Sequence, residues 1–237
     1  MNYDNALKLE ENRLTALLPN YSGQHLLQLG GCNLLSLVKS PILHKTYISH
    51  LFPPNLLNYS CLQSTYTDLP FASDSINFVL LPHTLEFDKK NAKLILNEAW
   101  RILTPNGHLM LLGINPFSLW GLYRLFSFRS SSACDGYFYS IQTICQWIHY
   151  LGGQISHIES FLFRPPFTSN PGRWLFSKLL WLEKLSPWLF PYLGGIYLII
   201  AQKQVKGLNK LGLIWQFPQI LTDKTALAPN ARGVHFV

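Results

Sequence analysis

The sequence predicts a single α/β domain around a mainly parallel sheet, and three observations carry that expectation. Short apolar runs alternate with helical segments along most of the 237 residues, which is the order that generates βαβ units. Hydrophobic residues make up 48% of the chain and charged residues 13%, so a large core can be buried and a disordered chain is excluded. The length suits one domain with a modest extra element.

Residues 5–18 read as a helix, since Leu7, Leu14, Leu17 and Leu18 form a rough stripe. Residues 19–23 carry Pro, Asn, Ser and Gly and break it. The run His25, Leu26, Leu27, Gln28, Leu29 ends in Gly30-Gly31, a buried strand feeding a tight turn. Residues 45–51 and 58–63 are candidate second and third strands. Residues 75–81 make a fourth, with four consecutive apolar residues bounded by Pro82. Residues 91–103 form an amphipathic helix: Ala92, Ile95, Leu96, Ala99, Ile102 and Leu103 fall on one face, with Asp88 upstream as a cap candidate. Thr104, Pro105, Asn106 and Gly107 stop it, and 108–114 is a fifth strand. A helix over 139–151 closes on Gly152-Gly153. Residues 154–163 and 195–203 supply two last strands. The domain is thus expected over 1–203, with a helical insertion at about 165–194 and an extended or loosely ordered tail over 204–237.

The net charge of +7 belongs to the second half. Up to Asn115 eight Lys/Arg balance eight Asp/Glu, whereas from Pro116 onward eleven face four. Those basic residues are scattered, with no run of five or six, which argues against a nucleic-acid partner. The segment 173–192 sets Trp174, Trp181 and Trp188 beside Lys178 and Lys184 and is the candidate for contact with a membrane surface or for a lid. Glu183, Pro187 and Pro191 interrupt its apolar run, which excludes a spanning helix. The four cysteines form no CxxC pair and no zinc-site spacing, so no metal is expected. The start carries acidic residues and no apolar signal region, and a cytoplasmic chain with reduced thiols is the simplest reading.

Two blocks carry a family resemblance. Leu69-Pro70-Phe71-Ala72-Ser73-Asp74-Ser75-Ile76-Asn77-Phe78-Val79 looks like an LPF-x-x-x-S-F-D-V-V stretch. Glu98-Ala99-Trp100-Arg101-Ile102-Leu103-Thr104-Pro105-Asn106-Gly107-His108-Leu109 looks like an E-x-x-R-V-L-x-P-G-G-x-L signature. Both stretches are marks of class I S-adenosylmethionine-dependent methyltransferases, and together in this order they are far more specific than either alone. The stretches 26–30, 80–87 and 113–122 resemble an uncharacterised bacterial branch of methyltransferase type 11-like proteins. The resemblance covers about 7–203. It implies a Rossmann-like, seven-stranded, mostly parallel sheet with helices on both faces and a reversed last strand at 196–201.

In that family S-adenosylmethionine lies across the C-terminal ends of the first strands. The resemblance implies cofactor contacts at Gln28, Gly30, Gly31, Cys32, Ser49, Thr65, Tyr66 and Pro82. Several depart from the family pattern. Gln28 stands for an acid, and Cys32 and Leu34 stand for two glycines. The second strand has no acid to accept both ribose hydroxyls; Ser49 and His50 are its only polar neighbours. Thr65 stands where an Asp would accept from the adenine amino group, and Asn77 replaces the strand-four Asp. A lost charged hydrogen bond is worth roughly 1.5–3 kcal/mol, about one to two decades in affinity, so weakened cofactor binding is expected.

His83 follows the fourth strand at the C-terminal edge. It is a candidate general base for an oxygen or nitrogen nucleophile, or a residue that orients its loop through a backbone hydrogen bond. Asn115, Phe117 and Trp120 are candidates to line a substrate pocket, with turn formation and packing as their other roles. Arg101 is expected to be structural, Glu86 and Asp88 to be loop and cap residues, and Glu98 a solvated helix partner. The expected function is a methyltransferase for a small or lipophilic substrate. The alternatives are a degenerate, non-catalytic binding or regulatory module on this fold, and a basic peripheral membrane or RNA-binding protein.

Overall fold

The computed structural model describes residues 3–31, 40–50, 59–118, 136–162 and 194–204, all within the compact unit Met1–Val205. A second unit, Lys206–Val237, lies outside the described residues. So do Cys32, Trp120, the segment 173–192 and nearly all of the expected insertion.

Helix α1 spans Tyr3–Leu17. Strand β1 (His25–Leu29) pairs in parallel with β2 (His44–Ser49) on one side and β4 (Ile76–Pro82) on the other. Strand β3 (Ser60–Gln63) adds in parallel to β2, and β5 (Leu103–Ile114) adds in parallel to β4. Between β4 and β5 come α2 (Thr84–Phe87) and α3 (Ala92–Ile102). Helix α4 (Ile141–Tyr150) precedes β6 (Gly153–Phe161) and β7 (Ile196–Lys203). Strand β7 runs antiparallel to both β5 and β6. The order is β3-β2-β1-β4-β5-β7-β6, the seven-stranded sheet with a reversed last strand that the motifs implied.

Alternate residues of the central strands feed two cores, as the two-residue period of a strand requires. Leu26, Phe78, Leu80, Met110 and Leu198 join Leu14 and Leu18 of the α1 end on one face. Leu27, Leu29, Val79, Leu81, Leu109 and Ile199 face α3 and α4 on the other. In α3 the predicted stripe Ala92, Ile95, Leu96, Ala99 and Ile102 is buried. A Leu or Ile buried this fully contributes roughly 1.5–3 kcal/mol.

One boundary differs from the sequence reading. Strand β5 starts directly after α3 rather than at 108, because Thr104 to Gly107 bulge out of it. The pairing with β4 jumps from Ile76–Leu103 to Phe78–His108, and Asn106 takes φ 64. Lys203 Nζ reaches the carbonyls of Trp100 and Leu103 at 2.9 and 2.7 Å, which satisfies acceptors that the end of α3 leaves open.

The two sequence blocks meet at the N-terminal end of β4. Arg101 donates to Glu98 Oε1 at 3.0 Å and Oε2 at 2.9 Å, and to the carbonyls of Phe71 and Leu69 at 3.0 and 3.2 Å. Glu98 Oε2 also accepts the Leu69 N–H at 3.3 Å. Glu98 is therefore more than a helix partner of Arg101: it also ties the loop to α3, and Arg101 is structural as expected. Asn77 sits at this same end, where its Oδ1 accepts the N–H groups of Gln24 and His25 at 3.0 and 3.1 Å. Its departure from the family Asp thus falls at the N-terminal end of β4, away from the C-terminal edge.

Candidate active site

The strand order reverses direction between β1 and β4, and an open α/β sheet offers its crevice at such a switch point, beyond the strands' carboxyl ends. Two stretches meet there. After β1, Gly30 and Gly31 take φ 63 and 76, a conformation that glycine adopts without steric cost. A Cβ on Gly31 would lie 2.4 Å from Pro82 Cγ, and one on Gly30 2.9 Å from the Tyr66 hydroxyl. The turn is tied down by Gly30 N–H to the Ile48 carbonyl at 2.9 Å and by the Tyr47 hydroxyl to the Gly31 carbonyl at 3.0 Å. The Thr84 hydroxyl donates to the Leu29 carbonyl from the β4 side. Gln28 is fully buried and gives its Nε2 to the Gly30 carbonyl at 2.9 Å. A carboxylate cannot donate that bond, which accounts for an amide where the family has an acid.

Ser49 and Tyr66 come together beside this turn. Burial pushes the Tyr66 phenol above its ordinary 10.0, Tyr47 adds to the rise, and bonds from the His50 backbone and the Ser49 side chain offset part of it. The Tyr66 ring tilts against His50 with centroids 4.0 Å apart. Thr65 is exposed next to it. No acid lies at the end of β2 among the described residues.

His83 follows Pro82 in a left-handed conformation, φ 58 and ψ 13, uncommon for a residue with a Cβ. Its N–H donates to the Leu112 carbonyl at 3.0 Å. Its Nδ1 lies 3.2 Å from Glu86 Oε2 and its Nε2 3.4 Å from Glu10 Oε2. Both glutamates are buried, and the other oxygen of Glu86 accepts the Ile114 N–H. Burial alone would lower the imidazole; the charge of Glu86 and the hydrogen bonds to Glu10 and Glu86 outweigh it and raise it well above 6.5. Both ring nitrogens are engaged, so the ring has no free lone pair for a substrate proton. Glu86 is correspondingly a buried partner rather than a loop residue. Glu10 was missed by the sequence reading, although the signal exists: Glu10, Leu14 and Leu18 are spaced by four and all buried, which puts an acid on an apolar helix face.

Beyond β5, Asn115 and Phe117 line a cavity of about 460 Å³ with Ser140, Ile141, Gln142, Cys145 and Ile158, a size within the range of small-molecule sites. Asn115 builds the turn at its rim: its Oδ1 accepts the Phe117 N–H at 3.1 Å and its carbonyl the Ser118 hydroxyl at 2.6 Å. Phe117 is 70% exposed and so does not pack in the core. Burial raises the Cys145 thiol, which disfavours the thiolate. The glycine turn does not line this cavity; the Glu86 to Ile114 bond connects the two regions. Among the described residues no His/Cys/Asp/Glu group is arranged for a metal, and no helix is long and apolar enough to cross a membrane.

This sheet order, with a glycine turn at its switch point, is the class I methyltransferase fold. Residues 23–111 match the family described as methyltransferase domain, and solved S-adenosylmethionine-dependent methyltransferases share the fold. It is 27% identical over 199 residues to the uncharacterized protein YafS of Escherichia coli (strain K12), covering 83% of this chain and 75% of that protein. A SAM-dependent methyltransferase from Archaeoglobus fulgidus superposes with TM-score 0.61 at 17% identity, over 83% of this chain and 94% of the other. A possible histamine N-methyltransferase from Thermotoga maritima gives 0.57 at 18%, over 84% and 89%.

The edge residues fit that cofactor in part. The two left-handed glycines allow close backbone approach, and Ser49, His50 and Thr65 offer neutral polar groups at the ends of β2 and β3. A charged acceptor for two ribose hydroxyls is absent from the described edge.

Proposed function

We propose that this protein is an S-adenosylmethionine-dependent methyltransferase acting on a small or lipophilic molecule, its domain spanning 1–203. The observation that supports this best is the contact of the Gly30–Gly31 turn with Pro82 and Thr84 at the switch point, with an apolar-lined cavity one strand away. Gly30, Gly31 and Cys32 would hold the cofactor through backbone groups, and Gln28 would keep the turn in shape. Ser49, Thr65, Tyr66 and Pro82 would border its ribose and adenine. When bound, the cofactor supplies an electrophilic methyl group on sulfur. Asn115, Phe117 and Trp120 would border the acceptor, and Ile141, Ile158 and Cys145 make its pocket apolar.

His83 acts as a positioning residue in this reading. Its bonds to Glu10 and Glu86 fix the edge between cofactor and acceptor, and Glu86 fixes the start of the acceptor turn through Ile114. Methyl transfer of this kind gains from alignment of nucleophile and sulfonium, and no side-chain base is required of His83.

The test is transfer of labelled methyl from S-adenosylmethionine to small-molecule and lipid extracts, with Gly31→Val as the control. Label in either extract that the variant abolishes supports the proposal. Cofactor binding without transfer to any extract would favour the non-catalytic module instead.

A further inference from the structure

We infer that the surface formed by Phe87, Lys89, Lys90, Lys93, Leu94 and Tyr137 docks the protein onto an anionic lipid bilayer. The surface starts where the candidate site ends: Phe87 follows Glu86, and the Tyr137 N–H donates to the Glu86 carbonyl at 2.7 Å. Its frame is a ladder of cations and rings. Lys89 Nζ lies 4.1 Å from the Tyr137 ring centre and Lys93 Nζ 5.3 Å from that of Trp147. Between them Tyr137 meets Tyr139 at 5.0 Å and Tyr139 meets Trp147 at 5.1 Å, both edge-on. The Tyr139 hydroxyl donates to the Lys89 carbonyl at 3.3 Å, so the lysine loop is fixed in place.

Charge and apolar tips select the partner. Three lysines fall within five residues; the adjacent acid Asp88, which accepts from the Asn91 backbone at 3.2 Å and its side chain at 2.8 Å, offsets one of them and leaves the stretch 88–93 net positive. Phe87 is 75% exposed and Leu94 53%. Exposed apolar side chains flanked by lysines are the arrangement that enters the headgroup boundary while the cations meet anionic lipid. Single-stranded nucleic acid is disfavoured, because it stacks successive bases on a row of open aromatic faces; lysine ammonium groups lie over Tyr137 and Trp147, which leaves Phe87 as a single exposed ring rather than a row. A leucine tip also offers a base nothing to stack on.

The test is sedimentation of the full chain with phosphatidylcholine vesicles, with and without phosphatidylserine. The expected result is binding only when phosphatidylserine is present, weakening as salt rises. Lys89→Glu with Lys93→Glu should weaken it by tenfold or more, since each lysine near such a surface is worth roughly fivefold. Phe87→Ser should weaken it at unchanged charge, with thermal midpoints confirming that both variants fold. No sedimentation, or sedimentation indifferent to both variants, would overturn the inference. So would tighter binding of a single-stranded RNA oligonucleotide lost in the lysine variant, or a dimer in sedimentation velocity that Phe87→Ser dissociates. Methyl transfer does not enter this assay, so its failure leaves the enzymatic reading untouched.

Discussion

Strand β4 is held at each end by a charged cluster, and the two clusters are built differently. At its N-terminal end Glu98 and Arg101 lie three residues apart on one helix, partly exposed, and grip the backbone of Leu69 and Phe71. At its C-terminal end His83 lies between Glu10 and Glu86, and both carboxylates are buried. The first cluster is local and solvated. The second joins the N-terminal helix to the candidate site and is shielded from water. A buried ionic group left without its partner is far more destabilising than a solvated one, so the site end of β4 should be the more fragile.

The largest effect should come from Glu86→Ala, which strips His83 of one carboxylate and the Ile114 N–H of its acceptor. About 3–5 kcal/mol of stability should be lost, read from urea midpoints. Arg101→Ala should lose less, about 1–3 kcal/mol, and equal losses would erase the distinction between the two ends. Next comes Gly31→Ala, where a Cβ would meet Pro82 at 2.4 Å and φ is 76. A loss of about 1–3 kcal/mol is expected, together with loss of cofactor binding by calorimetry.

The clusters should also fail at opposite ends of the pH scale. The His83 imidazole is raised in the fold, so its contribution is complete below the ordinary 6.5 and disappears as pH climbs through the raised value. The hydrogen bond from Arg101 lowers the Glu98 carboxyl, against the opposing effect of burial, with the Leu69 N–H and the Arg101 charge adding to the fall. Its contribution is present above 4.5 and is lost as pH drops through the lowered value. Thermal midpoints across pH should therefore lose their alkaline slope in His83→Gln and part of their acid slope in Glu98→Gln. The same limb flattening in both variants would contradict this. The smallest effect is expected of Asn77→Asp: an oxygen acceptor for Gln24 and His25 is kept, so stability should change by less than about 1 kcal/mol and cofactor affinity not at all.

The contrast also marks what was legible in the sequence. The Glu98–Arg101 cluster is legible only in part: its two linear blocks stand out and Arg101 reads as structural, but the bond from Glu98 to the Leu69 N–H joins residues 29 apart and leaves no local trace, whereas the sheet follows from the same blocks and from strand periodicity. The glycine turn was legible as Gly30-Gly31, but the reason for Gln28 was not, since the bond it makes is to a carbonyl two residues on, in a turn whose shape the sequence does not state. The histidine cluster was hidden because Glu10 and His83 are brought together only by the fold. A single acid on the apolar face of α1 was its one linear trace. Asn77 differs for the complementary reason: its departure from the motif is plain in the sequence, but only the fold shows that the strand carries it to the edge opposite the candidate site.

The central claim is that the Gly30–Gly31 turn, with backbone and neutral groups rather than acids, holds S-adenosylmethionine at the β1–β4 switch point. Isothermal titration of the full chain with S-adenosylmethionine, beside Gly31→Val, tests it most directly. Saturable one-to-one binding that the variant weakens at least about tenfold, a loss of roughly 1.4 kcal/mol, is the predicted result. No heat of binding at millimolar cofactor, or equal affinity in the folded variant, would contradict it.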